Sequence, residues 1–391
     1  MPEAPRRPYD IALFGATGFT GGLTAEYLAH HAPADCRWAV AGRSRAKLEA
    51  LRSRLAAIEP ARRELPLIEA DVNDPGSLRA VAEDARLVVT TVGPYIDHGE
   101  PMVAACAEAG TDYVDLAGEP EFVDLVYVRH HRRAQETGAR IVHACGFDSV
   151  PHDLGAQFTV EQLPEGVPID LKAFVRAGGK PSAGTFHSAI TSFSRVRGVT
   201  RAAAERRRLE EPPEGRRVRG RKALPYHEPE VDAWALPLPT IDPQIVLRSA
   251  RSLDRYGPDF TYGHFAAVKR LPVAAGAVGG LAGLVALAQL PPARDWLLGR
   301  MQSGEGPAPE ERARGWFRVR FVGRGGARKV VTEVAGGDPG YEETAKMLAE
   351  SALCLALDDV PGPAGQVTTA VAMGRPLRAR LERAGISFKT L

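Results

Sequence analysis

The chain has 391 residues, 44% of them hydrophobic, with 50 Lys and Arg set against 48 Asp and Glu. That length suits two domains rather than one core, and a net charge of +2 gives no pull toward nucleic acid. The four cysteines, Cys36, Cys106, Cys145 and Cys354, form no CxxC pair, which argues against a disulfide framework or a zinc site and fits a reducing cytoplasm.

The amino-terminal MPEAPRRPYD is polar, carries no apolar signal-peptide core and runs straight into a strand. Tyr9 to Phe14 (YDIALF) reads as a buried strand, and Thr20 to His30 as a helix. Arg37 to Ala41 is a second strand, followed by a helix capped by Ser44 and running through Leu55. Leu65 to Glu69 is a third strand, and Asp74 to Ala82 a helix with Pro75 at its first position. Leu87 to Val92, Tyr113 to Leu116 and Arg140 to Ala144 are three further strands, separated by helices over Met102–Ala109 and Glu121–Thr137. Strands alternating with helices of this length predict an α/β fold with a doubly wound parallel sheet over residues 1–155.

From about Leu171 the pattern changes to short β-like runs, LKAFVRA, WFRVRFVG and KVVTEVAG, separated by irregular or basic stretches. They predict a second, mixed-sheet domain over 156–339. The stretch Arg197 to Pro225 reads as a solvated helix and loop, with a substrate-phosphate role as the alternative. Residues 271–290 contain no charge and are long enough for a spanning helix, yet are mostly Ala and Gly. The leading expectation is a helix packed on this chain or on a second copy through the Gly279/Gly283 spacing. A membrane-surface or acyl-chain contact and a true span are the alternatives. A helix beginning after Gly340 is expected to pack back on the first domain, so that 340–391 completes it.

The first strand ends in Gly15-Ala16-Thr17-Gly18-Phe19-Thr20-Gly21, a glycine-rich junction opening a helix. Gly15 would allow the tight turn, Gly18 the close approach of a pyrophosphate, and Gly21 or Gly22 close helix packing. The helix N-terminus would present free N–H groups to phosphates, with Thr17 and Thr20 adding hydroxyls. The second strand ends in Ala41-Gly42-Arg43-Ser44, where NAD sites place an acid about 20 residues on. Arg43, with Ser44, suits a 2′-phosphate instead, which selects NADP(H). Asp71 reads equally as an adenine contact or as a turn residue with Asn73 and Asp74. The fourth and sixth strands end in Val92-Gly93-Pro94-Tyr95 and in Cys145-Gly146-Phe147-Asp148, at the edge where such sheets bind ligands. No metal site is expected.

GATGFTG, AGRS, VGPY, YVDLAGE (113–119) and CGFDSVPHDLG (145–155) together resemble the saccharopine dehydrogenase-like reductases. GGDPGYEETAKMLAESALCLA and TTAVAMGRPLRARLERAGISF are similar to the trans-acting enoyl reductase subgroup. The resemblance implies a Rossmann domain with an inserted α/β domain, NADPH-dependent enoyl reduction of a polyketide or lipid-like acyl chain, and a separate synthase as partner. Imine reduction, as in saccharopine reductases proper, and a non-catalytic NADP-binding regulator or lipid-surface scaffold remain alternatives. A homodimer is an open expectation, and so is a cytoplasmic protein with peripheral membrane contact.

Enoyl reduction needs an oxygen-stabilising donor and a proton for the α-carbon. Tyr95 is the first candidate donor, against plain ring packing. Asp148 and Ser149 come second, against a role in starting the next helix. His143, His152 and His187 are further candidates, each against a structural role.

Overall fold

The computed structural model describes residues 7–179, 183–299, 306–360 and 362–391. The polar segment 1–6, read above as free of a signal core, lies outside the described residues. Six strands open the fold: β1 (Tyr9–Phe14), β2 (Trp38–Gly42), β3 (Leu67–Glu69), β4 (Ala85–Thr90), β5 (Asp112–Val114) and β6 (Arg140–Val142). Their continuous apolar runs reflect a sheet covered by helices on both faces. Helices Phe19–His31, Arg45–Ile58, Pro75–Asp84, Glu100–Ala109 and Pro120–Thr137 alternate with them. Capping explains the boundaries. Ser44 accepts from Lys47 N, and Asp74 from Gly76 N at 3.0 Å. Gly110 and Gly138, at φ +67° and +87°, end two helices in the left-handed region.

The second domain supplies β7 (Ile169–Gly178), β8 (Arg217–Gly220), β9 (Tyr226–Glu228), β10 (Ala233–Pro237), β11 (Asp259–Val268), β12 (Trp316–Gly325) and β13 (Arg328–Gly336). The chain then returns through helix Glu342–Leu357 to β14 (Gly365–Val367) and ends in β15 (Ser387–Thr390). The first sheet is parallel, in the order β14-β6-β5-β4-β1-β2-β3. The second is mixed, in the order β15-β13-β12-β7-β11-β10-β9, with β8 beside β11. The α/β class and the two-sheet plan expected from the sequence are both present.

Helix Val150–Glu161 joins the two layers. It leaves β6 and lies on the buried face of the second sheet, where Leu171, Phe260, Tyr262, Phe317 and Phe321 are buried. A Cβ at Gly155 would come within 2.4 Å of the Phe321 ring, so glycine permits this close contact. Asp153 of the same helix is fully buried and accepts from Ser249 Oγ (2.5 Å), Thr369 Oγ1 (2.8 Å) and Ala370 N (2.8 Å). It ties the CGFDSVPHD and TTA segments together across 216 residues of chain. Replacing it by Ala strands these donors, and we expect a loss of about 3 kcal/mol. A lower urea midpoint at constant m would show this loss, with Asp153→Asn retaining most of the stability because it keeps an acceptor for Ala370 N.

Three expectations need correction. The segment 340–391 does not serve the first domain alone. β14 extends the parallel sheet beside β6, but β15 pairs antiparallel with β13 in the second sheet. The stretch Arg197–Pro225 is not simply solvated. Arg206 is buried between Asp124 (2.7 Å) and Glu210 (2.9 Å), and Arg217–Gly220 pairs parallel with β11. The apolar segment forms helix Leu271–Ala288, but this chain covers little of it. Only Ala274 and Ala288 are buried, so it packs on this chain along a narrow stripe and leaves most of its surface open.

Candidate functional site

The strand order reverses between β1 and β4, which opens a crevice at the carboxyl ends of the parallel strands. The glycine loop lies at this point. Gly15 has φ +84°, and a Cβ there would lie 2.7 Å from Val92 Cγ2 and 2.9 Å from Thr91 Oγ1. Thr91 Oγ1 also donates to the Gly15 carbonyl at 3.1 Å, linking the loops after β1 and β4. A Cβ at Gly21 would meet the Gly15 carbonyl at 2.3 Å, whereas at Gly22 its nearest neighbour is the mobile end of Arg54 at 2.8 Å. Gly21 is therefore the close-packing glycine.

Helix Phe19–His31 starts at Gly18 with no side-chain cap, leaving first-turn N–H groups for an anion. Thr17 and Gly18 are exposed and Thr20 partly so, while Ala16 is buried and contributes backbone only. Phe19 differs from expectation. Its ring packs edge-on against Tyr341 at 4.9 Å under the Arg312 guanidinium, so only its backbone can serve a ligand.

Arg43 is exposed at the end of β2 and has no ion-pair or hydrogen-bond partner among the described residues. The adjacent Ser44 caps the next helix. Asp71 takes the turn role, accepting from Asn73 N and Nδ2 at 2.9 Å each. These features fit a dinucleotide with a 2′-phosphate. The glycine cradle leaves no room for side chains, the helix N-terminus is uncapped, and an unpaired guanidinium stands where an acid would repel that phosphate.

Val92, Gly93 and Pro94 line the same edge after β4, with Gly93 exposed and its neighbours partly so. Tyr95 then turns inward. Its ring is buried beside Phe122, its hydroxyl donates to Thr90 O, and Leu116 N donates to it, both at 3.1 Å. Burial and the Asp115 charge push its pKa well up. Tyr95 is thus a packed, satisfied core residue and not the proton donor expected from sequence.

Cys145 is corrected likewise. Its thiol is buried and lies 3.5 Å from Val142 O, with burial raising its pKa. Ser149 is fully buried. His143 is held by Asp115 Oδ2 at 2.7 Å, and that carboxylate also accepts from Tyr113 Oη, Ala117 N and Ala144 N. The YVDLAGE aspartate therefore braces the ends of β5 and β6. Gly146 packs tightly on Leu116 and Thr344, and Phe147 N donates to Thr344 Oγ1 at 3.1 Å. The Phe147 ring meets His152 edge-on and packs at a tilt against Phe317.

Asp148 remains at the crevice. It is partly exposed, and its carboxylate accepts no hydrogen bond among the described residues. A Cβ on Gly118 would lie 3.3 Å from Asp148 Oδ2 and 3.9 Å from Ser188 Cβ. Asp148 thus overhangs the end of β5, opposite helix Ala183–Ser194 of the second domain. Ser188 Oγ donates to Glu119 Oε1 at 3.2 Å, and the Glu119 carboxylate also accepts from Tyr95 N and Ile96 N. Enclosure of the carboxyl raises the Asp148 pKa to about 6; the Asp242 charge adds to this, and His152 opposes it.

Behind Asp148 lies a buried group of which sequence reading singled out His152 but missed Asp242 and His264. His152 Nδ1 lies 2.7 Å from Asp242 Oδ1, and His264 Nε2 lies 3.5 Å from Asp242 Oδ2. Tyr262 Oη meets His264 Nδ1 at 3.1 Å. Burial works against ionised Asp242, but the two imidazoles prevail and hold its pKa below the usual range. Burial lowers His264 to about 4. The His152–Asp242 approach is off the hydrogen-bond axis, and His152 Nε2 has no partner. The three groups offer metal-ligand atoms within 4.8 Å of one another. The 2.7 Å approach, however, is shorter than the roughly 3.3 Å between ligands of a tetrahedral zinc with Zn–N bonds near 2.05 Å. It suits a charge pair better than two ligands of one ion.

Residues 11–142 match the saccharopine dehydrogenase NADP-binding domain family. A Mycobacterium tuberculosis relative, provisionally named a trans-acting enoyl reductase, is 38% identical over 100% of this chain and 99% of its own length. The chain belongs to the saccharopine dehydrogenase-like reductase family. A Mycobacterium ulcerans relative named trans-acting enoyl reductase is 35% identical over 98% of both chains. Saccharopine dehydrogenase from Saccharomyces cerevisiae shares the fold at a TM-score of 0.53 and 14% identity, covering 97% of this chain and 99% of its own. As a member of this family the chain is an NADP-dependent oxidoreductase, and the glycine loop with Arg43 is the part of it that fits the cofactor.

Proposed function

We propose that this reductase saturates a carbon–carbon double bond conjugated to a carbonyl, on a lipid-like acyl chain carried by a separate synthase. The observation that carries the reading is Asp148, a carboxyl with a pKa near 6 at the crevice edge beside Gly118. The names of the mycobacterial relatives support the same reaction and its action in trans. NADPH, when bound, supplies the hydride equivalent that reaches the β-carbon. Protonated Asp148 donates a proton to the α-carbon as the enolate collapses, and its carboxylate regains a proton from water. The Asp242–His152–His264 group is a positioning assembly. Within it the Asp242 charge adds to burial in disfavouring ionised Asp148, against the opposing effect of His152, and so helps keep the acid form available.

The proton donor must be protonated to act. Its pKa lies above the ordinary 3.8, at about 6. We therefore expect kcat/KM to be flat below about pH 6 and to fall tenfold per unit above it. A flat profile between pH 5 and 8 would count against Asp148 as the acid.

Imine reduction would need fixed cations for amino-acid carboxylates. Arg206, Arg216, Arg219 and Arg221 of the middle domain are engaged in ion pairs within the chain, and Arg197, Lys269 and Arg270, unpaired among the described residues, are exposed at its surface. We expect NADPH oxidation with enoyl thioesters and none with a keto acid and amine pair. The opposite pattern would assign the enzyme to imines, and binding of NADPH without turnover of either would make it a regulator.

A further inference from the structure

The largest unexplained feature is helix Leu271–Ala288. It packs on helix Ala183–Ser194 through a narrow stripe, where Ala288, Leu284 and Ile190 meet Leu297. The rest of its surface is open, with Val273 56%, Val278 44% and Leu287 43% exposed. The helix carries no charge, and a Cβ on any of its four glycines would meet open space. The helix presents an open apolar face about 27 Å long, and a large contiguous apolar patch on a soluble surface marks an interaction site.

Cations stand at both ends. Lys269 and Arg270 precede the helix, are exposed and have no partner among the described residues. At the other end the Gln289 amide donates to Phe193 O, which brings the helix to the segment holding exposed, unpaired Arg197. Arg294, paired with Asp295 at 3.3 Å, and the 56% exposed Trp296 follow shortly after. Self-pairing of this helix in either direction would bring cationic ends together. An anionic surface would match them, and an interfacial Trp is a usual companion. Both ends are tied to the body, one by direct continuation from β11 and the other by the Gln289 contact, so the helix cannot stand upright through a bilayer in this conformation.

We propose that this lobe docks on an anionic phospholipid bilayer, with helix Leu271–Ala288 lying in the plane of the headgroup–acyl boundary. The supporting helix Ala183–Ser194 carries Ser188, which reaches Glu119 beside the crevice. Docking therefore sets the crevice next to the membrane. The binding stands whether or not the reduction proposed above is the reaction.

Flotation of the full chain with phosphatidylglycerol-containing vesicles, and with phosphatidylcholine vesicles alone, tests it. We expect co-flotation with the anionic vesicles, much less with the neutral ones, and loss at high salt. Val278→Glu combined with Leu287→Glu should cut partitioning roughly tenfold or more, as should Lys269→Glu with Arg270→Glu. Both variants should keep the thermal shift given by NADPH, which separates loss of docking from loss of fold. Absence of flotation with either vesicle would overturn the proposal. So would equal, salt-insensitive binding to both. A dimer in solution that the Val278/Leu287 variant dissociates, without vesicle binding, would assign the face to a second copy instead.

Discussion

Asp148→Asn should lower kcat for enoyl reduction by about 10²- to 10⁴-fold, the range for losing a positioned general acid. NADPH binding should be unchanged, because Asp148 lies beyond the glycine loop on the Gly118 side of the crevice. The descending limb of the pH profile near 6 should vanish with it. Stability offers a separate check with a definite sign. The folded pKa of Asp148 is raised, so its favourable contribution is complete below about 3.8 and is lost as pH rises through about 6. At pH 8 the Asn variant should therefore be at least as stable as the parent, and its relative advantage should disappear toward pH 4. Thermal unfolding across that range reads this directly. A variant that is inactive because it is unfolded would instead show a lower midpoint, or no cooperative transition, at every pH.

The second large effect is expected at Arg43. Arg43→Ala removes the cation at the end of β2 that is unpaired among the described residues and leaves the Ser44 cap intact. Loss of charge-assisted bonds to a 2′-phosphate is worth about 1.5–3 kcal/mol, so NADPH should bind roughly 10- to 100-fold more weakly. NADH, lacking that phosphate, should bind as before. Titration calorimetry with both nucleotides would show the selective loss. Equal weakening of both would mean that Arg43 supports the loop and does not read the phosphate.

The sequence made the cofactor half of the site legible because it is built locally. Gly15, Gly18, Gly21 and Arg43 act through the turn and strand end on which they sit, so spacing alone locates them. The catalytic half was legible only in part. Tyr95 and Cys145 stand at strand ends that face the crevice, but a one-residue change of direction there decides between ligand and core. Tyr95 turns in because Glu119 holds the Tyr95 and Ile96 amides and Leu116 N meets its hydroxyl. Such long-range bonds leave no periodic mark. The partners of His152 come from positions 242 and 264 and meet it only through the packing of two domains. A signal did exist at His264. It follows Phe260 and Tyr262 on the inward face of β11, a polar residue in phase with a buried row. The apolar segment was found by composition, yet composition could not show that the chain itself would leave it uncovered.

The most direct test of the account is the fate of the transferred atom. Reaction of the enzyme with NADPH deuterated at the transferring position and an α,β-unsaturated acyl thioester, in ordinary water, should give a saturated thioester with one deuterium at the β-carbon and a solvent proton at the α-carbon. Recovery of the enoyl thioester unchanged, from enzyme shown to bind NADPH, would contradict it.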